Sequence, residues 1–291
     1  MRVLIVCNPI SGGGRSRRLG SRLGKLLEDK GHRVDLYLTE KAGDAGRRAA
    51  AVEGDVERVV AVGGDGTLNE VLNGLPDPSR IPMTQLATGT ANLLAHDLGL
   101  PYDSEGASRL LENGEVRRLD MGMIGDTRFL MVVSSGFDAM VTHEVQGNRT
   151  GTMSYASWLP SIVKLLKDYR PPRLEVEIDD REPIEGEMVI VSNVRTYAGL
   201  FTVADRASCD SGHLDVCVLT RASFPHLARA TVGGLTGGLS QQKGVVYLTG
   251  TRIALRAQDP VPVQLDGEAF GTTPLEITLK PGHVPVVVPR S

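Results

Sequence analysis

Residues 59–75, VVAVGGDGTLNEVLNGL, limit what this chain can fold into more than any other stretch. Val59 to Val62 is a β-branched and apolar run of the kind that fills a strand buried on both faces of a parallel sheet. Gly63 and Gly64 end it. Lacking Cβ atoms, they let a ligand approach the backbone, and they admit positive φ where the chain turns sharply. A helix is expected to follow at once, with Thr67 and Glu70 at capping-box spacing and Asn73-Gly74 as its stop. Strand, glycine loop and helix start together put free N–H groups and the helix dipole where they favour phosphate. Asp65 places an anion in the middle of that anion site, which implies a cation between carboxylate and phosphate, as in a magnesium nucleotide. Asp is also a common turn residue, so the loop reads as a structural strand-to-helix connection as well. The Lys of a Walker loop is missing, and GGDGT is not a P-loop.

The same grammar occurs on either side. Val3 to Cys7 reads as a strand, Asn8 to Gly14 as a glycine-rich loop, and about Ser16 to Lys30 as a helix. Arg15, Arg17 and Arg18 at that helix start oppose the dipole unless an anion binds nearby, or else form a solvated basic face. Arg33 to Leu38 predicts a second strand and Asp44 to Val52 a short helix; Met83 to Ala87 predicts a fourth strand, followed by Thr88 to Asn92 and a helix ending at Gly99. Right-handed crossovers bring such loops to the carboxyl edge of one parallel sheet, where ligands bind. From Leu119 the pattern changes to period two. Leu174-Val176-Ile178, Met188 to Ile190, Leu214-Val216-Val218, Val245 to Arg256 and Val261 to Leu279 predict antiparallel strands, with a turn at Asp179-Asp180. Helices are expected over about Tyr155 to Tyr169 and Phe224 to Leu239. The fold class is therefore α/β: an N-terminal parallel-sheet nucleotide-binding domain over 1–121 and a mainly antiparallel β domain over 122–281. Residues 282–291 can rejoin the first through Val284 to Val288. No Ser- or Pro-rich linker separates the two, which implies close packing around a cleft.

With 291 residues and 41% hydrophobic content, the chain can bury two cores. Its 32 Lys and Arg against 35 Asp and Glu, net charge −3, argue against a nucleic-acid binder. Cys7, Cys209 and Cys217 lack any CxxC spacing, which suits a reducing cytoplasm, and His32, His96, His143, His213, His226 and His283 show no metal spacing. Met121, Met123 and Met131 read as core. No apolar run is long enough to span a bilayer or serve as a signal-peptide core, so membrane contact must be peripheral.

NPISGGG (8–14), TEKAGDA (39–45), GGDGTLNEVLNG (63–74), GTAN (89–92), LDMG (119–122), SSGFDA (134–139) and LDGE (265–268) together resemble the bacterial diacylglycerol kinase-like lipid kinases. These are relatives of diacylglycerol and sphingosine kinases that share GGDGT with NAD kinases and phosphofructokinases. The resemblance runs nearly end to end. It implies ATP held by the first domain, a β-sandwich second domain holding the lipid, and magnesium-dependent transfer of the γ-phosphoryl group to a lipid hydroxyl in the interdomain cleft. It places Asn8, Ser11, Thr39, Gly63, Gly64, Asp65, Gly66, Thr67, Leu68, Asn69 and Thr90 at the nucleotide, and Asp65 and Asp120 near the magnesium network. Glu268 falls at the catalytic position. Ser208, Ser211 and His213 fall at a second metal loop, with Asp210 as an alternative ligand in a shifted register. The partners implied are ATP, a lipid with a free hydroxyl and a membrane surface, and a homodimer is compatible with the family.

A carboxylate that takes the proton of an attacking alcohol suits the chemistry assigned to Glu268. Asp266-Gly267 between apolar residues is equally a β-hairpin turn. Two departures from the family bear on the site. Leu93 stands where many relatives carry Asp after the GTxN asparagine, and Ser211 replaces a carboxylate before Gly212. The Ser211 hydroxyl predicts a loop that holds no metal, or holds one through Asp210. Two other functions remain open: an NAD kinase-like enzyme, against which NPISGGG, GTAN and LDGE stand, and a non-catalytic lipid or nucleotide binder, which needs neither Asp65 nor Glu268. The basic pairs Arg15, Arg17, Arg18 and Arg47, Arg48 predict weak, salt-sensitive membrane contact.

Overall fold

The structure is a computed structural model that describes residues 1–147, 161–166, 169–197, 199 and 201–290. Most of the helix expected over Tyr155 to Tyr169 lies outside the described residues, of which 161–166 are helical. The chain divides into two units, Met1–Met121 with Gly282–Ser291, and Gly122–Pro281.

In the first unit β1 (Arg2–Cys7), α1 (Arg15–Glu28), β2 (Arg33–Leu38), α2 (Asp44–Ala50), β3 (Arg58–Gly63), α3 (Asp65–Gly74) and β4 (Met83–Ala87) follow in order. The strands are parallel in the order β2-β1-β3-β4, with Val3 opposite Arg58 and Val59 opposite Met83. The buried runs of β1, β3 and β4 fit a sheet covered on both faces. Val3, Ile5, Cys7, Val60 and Val62 pack with Leu23 and Leu27 of α1. Two short helices follow, α4 (Leu93–Asp97) and α5 (Ser104–Asn113), then β5 (Glu115–Ile124). The second of these helices was not legible as a motif, although Asp103 caps it by accepting from the Gly106 amide at 2.7 Å.

The second unit continues with β6 (Thr127–Phe129), β7 (Val132–Ser135), α6 (Phe137–Gly147), β8 (Leu174–Ile178), β9 (Ile184–Gly186), β10 (Met188–Ser192), β11 (Thr196–Tyr197), β12 (Phe201–Thr202) and β13 (Leu214–Leu219). It ends with α7 (Phe224–Thr236), β14 (Val245–Gly250), β15 (Arg252–Ala257), β16 (Pro262–Leu265), β17 (Glu268–Thr272) and β18 (Leu275–Val288). One sheet has the order β14-β13-β10-β7-β16-β17, and β18-β15-β8-β9 form the other. Alternate residues from both meet in one core, including Val189, Val191, Val216 and Val263 from the first and Val176, Ile253, Leu255 and Ile277 from the second. That is the β-sandwich which period-two patterning specifies. Strands β5 and β18 each run through a boundary between the units. The end of β18 returns to the first unit, where Val286 pairs parallel with Met83 and the Thr84 hydroxyl donates to the Val287 carbonyl at 3.0 Å.

Three local expectations are corrected. Gly64 begins α3 as N-cap at φ −86, with no side-chain cap, so Thr67 and Glu70 form no capping box. The Glu70 carboxylate instead accepts from the Gly43 and Ala45 amides at 3.0 and 3.2 Å, capping the neighbouring α2. A charge that satisfies another helix's orphan amides is worth more there than on its own turn. Gly63 and Gly64 take no positive φ; their missing Cβ atoms make room for Thr67 and Gly89. Likewise Gly74 is not a left-handed stop but the last residue of α3, lying against the backbone of Gly46 in α2. None of the described helices is long and apolar enough to cross a membrane.

A Cβ at Gly74 would overlap the Gly46 carbonyl and sit 2.7 Å from its Cα, backbone atoms that cannot rotate away. Gly74→Ala should therefore destabilise the protein by about 2–3 kcal/mol in urea, despite the better helix propensity of Ala. Gly54→Ala, where an added Cβ meets nothing within 4 Å, should be neutral. Equal midpoints for the two variants would refute the close contact of α2 and α3.

Candidate active site

Three glycine-bearing loops converge at the carboxyl ends of β1, β3 and β4. After β1, Gly12, Gly13 and Gly14 take φ of 59, 66 and 88, values in the left-handed region open to glycine. Gly12 lies against the Thr88 carbonyl, where a Cβ would overlap it. The Thr88 hydroxyl donates to Ser11 Oγ at 3.1 Å and shares a 2.6 Å hydrogen bond with Ser16. After β3, Gly64 lies so close to Gly89 that a Cβ on Gly89 would stand 2.6 Å from the Gly64 Cα. Asn92, itself at φ 50, locks the third loop: its Oδ1 accepts from the Gly89 amide at 2.9 Å and its Nδ2 donates to the Gly89 carbonyl at 2.8 Å.

Asp65 stands at this junction, in the first turn of α3. Its Oδ2 accepts from the Leu93 amide at 3.2 Å, while its Oδ1 is out of solvent with no hydrogen-bond partner among the described residues. Burial pushes the carboxyl up to about 6, against the lowering effect of the Leu93 and Asn92 amides. The Tyr102 phenol is raised too, first by burial and then by the Asp65 charge. An anionic oxygen held away from water without a partner fits a hard cation such as magnesium, which binds through one or two carboxylates plus phosphate oxygens. Where Asp would follow the asparagine in many relatives, Leu93 supplies its backbone amide to Asp65 and buries its side chain.

The other nucleotide candidates divide by exposure. Thr90 is exposed, and Asn8, Ser11, Gly64 and Gly66 are partly exposed, so each can present polar atoms to a ligand. Thr39 is nearly buried, its amide donating to the Cys7 carbonyl at 2.9 Å, which fixes the end of β2 beside β1. Gly63, Thr67 and Leu68 are buried, and Leu68 can offer only its backbone. Asn69 Oδ1 accepts from Asn73 at 2.5 Å. Asp120 is buried, and its Oδ1 accepts from the Gly282 amide at 2.7 Å, which ties the returning β18 into the first unit. Arg47 pairs with Asp44, and Arg48 with Asp35 at 2.5 Å.

In the second unit Glu268 is exposed at the start of β17, after a turn in which Asp266 and Gly267 take φ of 49 and 87. Positive φ at both central residues makes this the tight hairpin turn read from Asp266-Gly267. The turn is held from below. Asp266 is buried, and its carboxylate accepts from the Val132, Met131 and Leu130 amides at 2.8, 3.2 and 3.5 Å. Gln264 accepts from the Gly267 amide at 2.8 Å and donates to Ser134 Oγ at 2.7 Å. Ser134 in turn donates to Asp138, which also accepts from the Tyr197 hydroxyl at 2.6 Å. The motif SSGFDA contains Asp138, yet nothing in its spacing marks its environment: the residue is half-buried, its Oδ1 is out of solvent with no partner among the described residues, and desolvation raises its carboxyl against the opposing Ser134 and Tyr197 bonds.

At the second metal loop, the Ser211 hydroxyl donates to the His213 carbonyl at 2.9 Å and Ser208 donates to Asp210. Among the described residues no group of three or more His, Cys, Asp or Glu side chains could hold a metal ion. Burial pushes the thiols of Cys7 and Cys217 up to about 11 and about 12, so both stay protonated and unreactive near neutral pH.

Known proteins match this chain over nearly its full length. Residues 2–124 match the model of the diacylglycerol kinase catalytic domain, and residues 131–288 match the YegS C-terminal NAD kinase beta sandwich-like domain. A diacylglycerol kinase of Bacillus subtilis is 27% identical over 99% of this chain and 97% of its own length. One from Staphylococcus aureus is 26% identical over 99% of this chain and 93% of its own. A crystal structure of a putative diacylglycerol kinase from Bacillus anthracis shares the fold with TM-score 0.82 at 22% identity, over 99% of this chain and 95% of that one.

The burial of Asp65 gives a test that needs no substrate. Because its folded pKa of about 6 lies above the ordinary Asp value near 3.8, its effect on stability is neutral below about pH 4 and unfavourable once pH has risen through 6. Asp65→Asn keeps an acceptor for the Leu93 amide and removes the charge. The variant should be more stable than the wild type by up to about 3 kcal/mol at pH 7.5, and the gain should vanish at pH 4. A variant that is less stable at pH 7.5 would contradict the buried, unpaired oxygen.

Proposed function

This chain belongs to the diacylglycerol kinase-like family of lipid kinases, within the NAD kinase-like superfamily, and from that membership we propose that it transfers the γ-phosphoryl group of ATP to the hydroxyl of diacylglycerol or a related lipid. The observation that carries this reading is Asp65: a desolvated, unpartnered carboxylate oxygen where three glycine-rich loops bring backbone N–H groups and the start of α3 together. Such a junction is attractive to phosphate only when a cation neutralises the carboxylate.

In this reading Gly12, Gly64 and Gly89 keep the loops open for close backbone contact, while Asn8, Ser11, Gly66 and Thr90 supply polar groups around the phosphates and sugar. Asp65 would hold magnesium, which would supply neutralisation of the charge on the transferred group. Glu268 takes the proton of the lipid hydroxyl as its oxygen bonds to the γ-phosphorus and the bond to the nucleoside diphosphate breaks. The buried Asp266 and Gln264 hold the turn that carries Glu268, so the base is presented without a large loss of conformational freedom. Asp120 positions β18 rather than reaching the reacting atoms. Ser208, Ser211 and His213 close their loop on itself, and we read them as structural. A cytoplasmic protein that works at the membrane surface follows from a substrate of this kind.

Labelled ATP should be offered with detergent-dispersed diacylglycerol and, in parallel, with NAD. Labelled lipid, with no labelled NADP, is the expected result; the reverse would move the protein to the NAD kinase branch. Glu268→Gln should lower kcat by about 10²- to 10⁴-fold and leave nucleotide affinity nearly unchanged. Near-normal turnover in a folded Glu268→Gln protein would remove Glu268 from the role of base.

A further inference from the structure

Phe224, Val232 and Leu235 are 62%, 59% and 58% exposed, and all three lie on α7. At about 100° per residue, Phe224, Ala228, Val232 and Leu235 fall within about 80° of arc, a single stripe along the helix. Gly233 and Gly234 lie on the opposite side and are buried. A Cβ on Gly234 would stand 3.2 Å from Phe201, and one on Gly233 2.9 Å from Gln242, so the helix is seated by its glycine face. It cannot roll to bury Phe224 without forcing larger side chains into that seat. The apolar stripe is thus fixed outward by packing.

Along the chain, α7 lies in a run without acidic residues, although Glu187, between β9 and β10, reaches Arg221. The chain carries no acidic residue between Asp215 and Asp259, a run that contains Arg221, Arg229, Lys243, Arg252 and Arg256, in a protein of net charge −3. Arg221, His226, Arg229 and Lys243 line a recess beside the helix, together with Leu219 and Val245. Arg221 reaches Glu187 at 3.2 Å but is itself 72% exposed. Arg229 donates to the Lys243 carbonyl at 3.4 Å, and neither Arg229 nor Lys243 pairs with a carboxylate among the described residues.

We propose that the outward face of α7 docks on an anionic lipid bilayer, with Phe224, Val232 and Leu235 entering the acyl boundary and Arg229, Lys243 and Arg221 meeting headgroup phosphates. The proposal rests on the lipid kinase reading above, which requires the protein to collect its acceptor from a membrane. Apolar side chains on one helix face beside a basic rim form the pattern of an interfacial helix. A second copy of this chain is a poorer occupant. The stripe offers only about 160 Å², from roughly 16 Å of helix about 10 Å wide, against about 800 Å² per partner in a stable protein interface. Its basic rim would also face its own like charge.

The test uses flotation of the full chain with phosphatidylcholine vesicles that contain or lack phosphatidylglycerol. Wild type should bind the anionic vesicles, weaken as salt rises, and largely ignore the neutral ones. Leu235→Glu, Val232→Glu and the double change Arg229→Glu with Lys243→Glu should each lower binding by about tenfold or more. All should keep wild-type activity on micelle-dispersed diacylglycerol. The three variants are independent, so one that failed a thermal-unfolding control would leave the others to decide. Variants that bind anionic vesicles as wild type does would overturn the proposal, as would variants that turn a dimer into a monomer in sedimentation with vesicle binding intact. A protein that shows α7-dependent vesicle binding but phosphorylates no lipid would support the docking face and sink the kinase reading. Micellar activity together with vesicle binding indifferent to all three variants would do the opposite.

Discussion

The approach of one backbone to another, where no Cβ intervenes, is what the candidate site depends on. Gly64 against Gly89 brings the loop after β3 onto the loop after β4, and Gly12 against Thr88 brings in the loop after β1. A methyl group at these points would force the loops apart, and the amides gathered around Asp65 would no longer share one ligand-sized region. Gly46 against Gly74 does the same for α2 and α3 behind the loops, and Glu70 joins the two helices by capping one from the other. Steric absence rather than special φ explains most of these glycines. Among the glycines of these loops, Gly12, Gly13 and Gly14 use the left-handed region.

The loops, once close, create an electrostatic problem that points toward ligand. Asp65 keeps one oxygen on the Leu93 amide and leaves the other buried and unpaired, a condition that native structures rarely tolerate without function. The unfavourable burial is sustained by the packed sheet beneath, where Val59 to Val62 and Val3 to Cys7 are fully buried. A strained local group on a stable scaffold is the general relation between active sites and folds. The second unit treats Glu268 differently. There the carboxylate proposed as base is exposed, and the buried Asp266, Gln264 and Ser134, with the half-buried Asp138, serve the turn that presents it.

The helix α7 shows a similar division between a fixed seat and a free face. Its glycines define the packed side and its large apolar residues point away, an inversion of the usual amphipathic helix, in which the large residues are buried. An exposed apolar stripe on one helix, in a run of sequence without acidic residues, is the basis of the docking face proposed above. Arg47 and Arg48 lie elsewhere, paired with Asp44 and Asp35.

The sequence by itself determined the alternation of strand, glycine loop and helix to Ala87, the change to period two after Leu119, and the hairpin turn at Asp266-Gly267. These are properties of neighbours within a few positions, where β-branched runs, side-chain alternation and turn glycines act directly on the local backbone. Its motifs also carried the family, since seven short segments in order constrain the match far more than GGDGT does alone. Tertiary structure decided what each polar side chain touches. Glu70 has capping-box spacing with Thr67 but serves amides 25 and 27 residues earlier, and Asp266 accepts from amides more than 130 residues away. No local pattern can announce such partners. Burial decides them, because an orphan amide out of water takes whichever acceptor the packed chain brings within reach, and that geometry exists only after the sheets have formed.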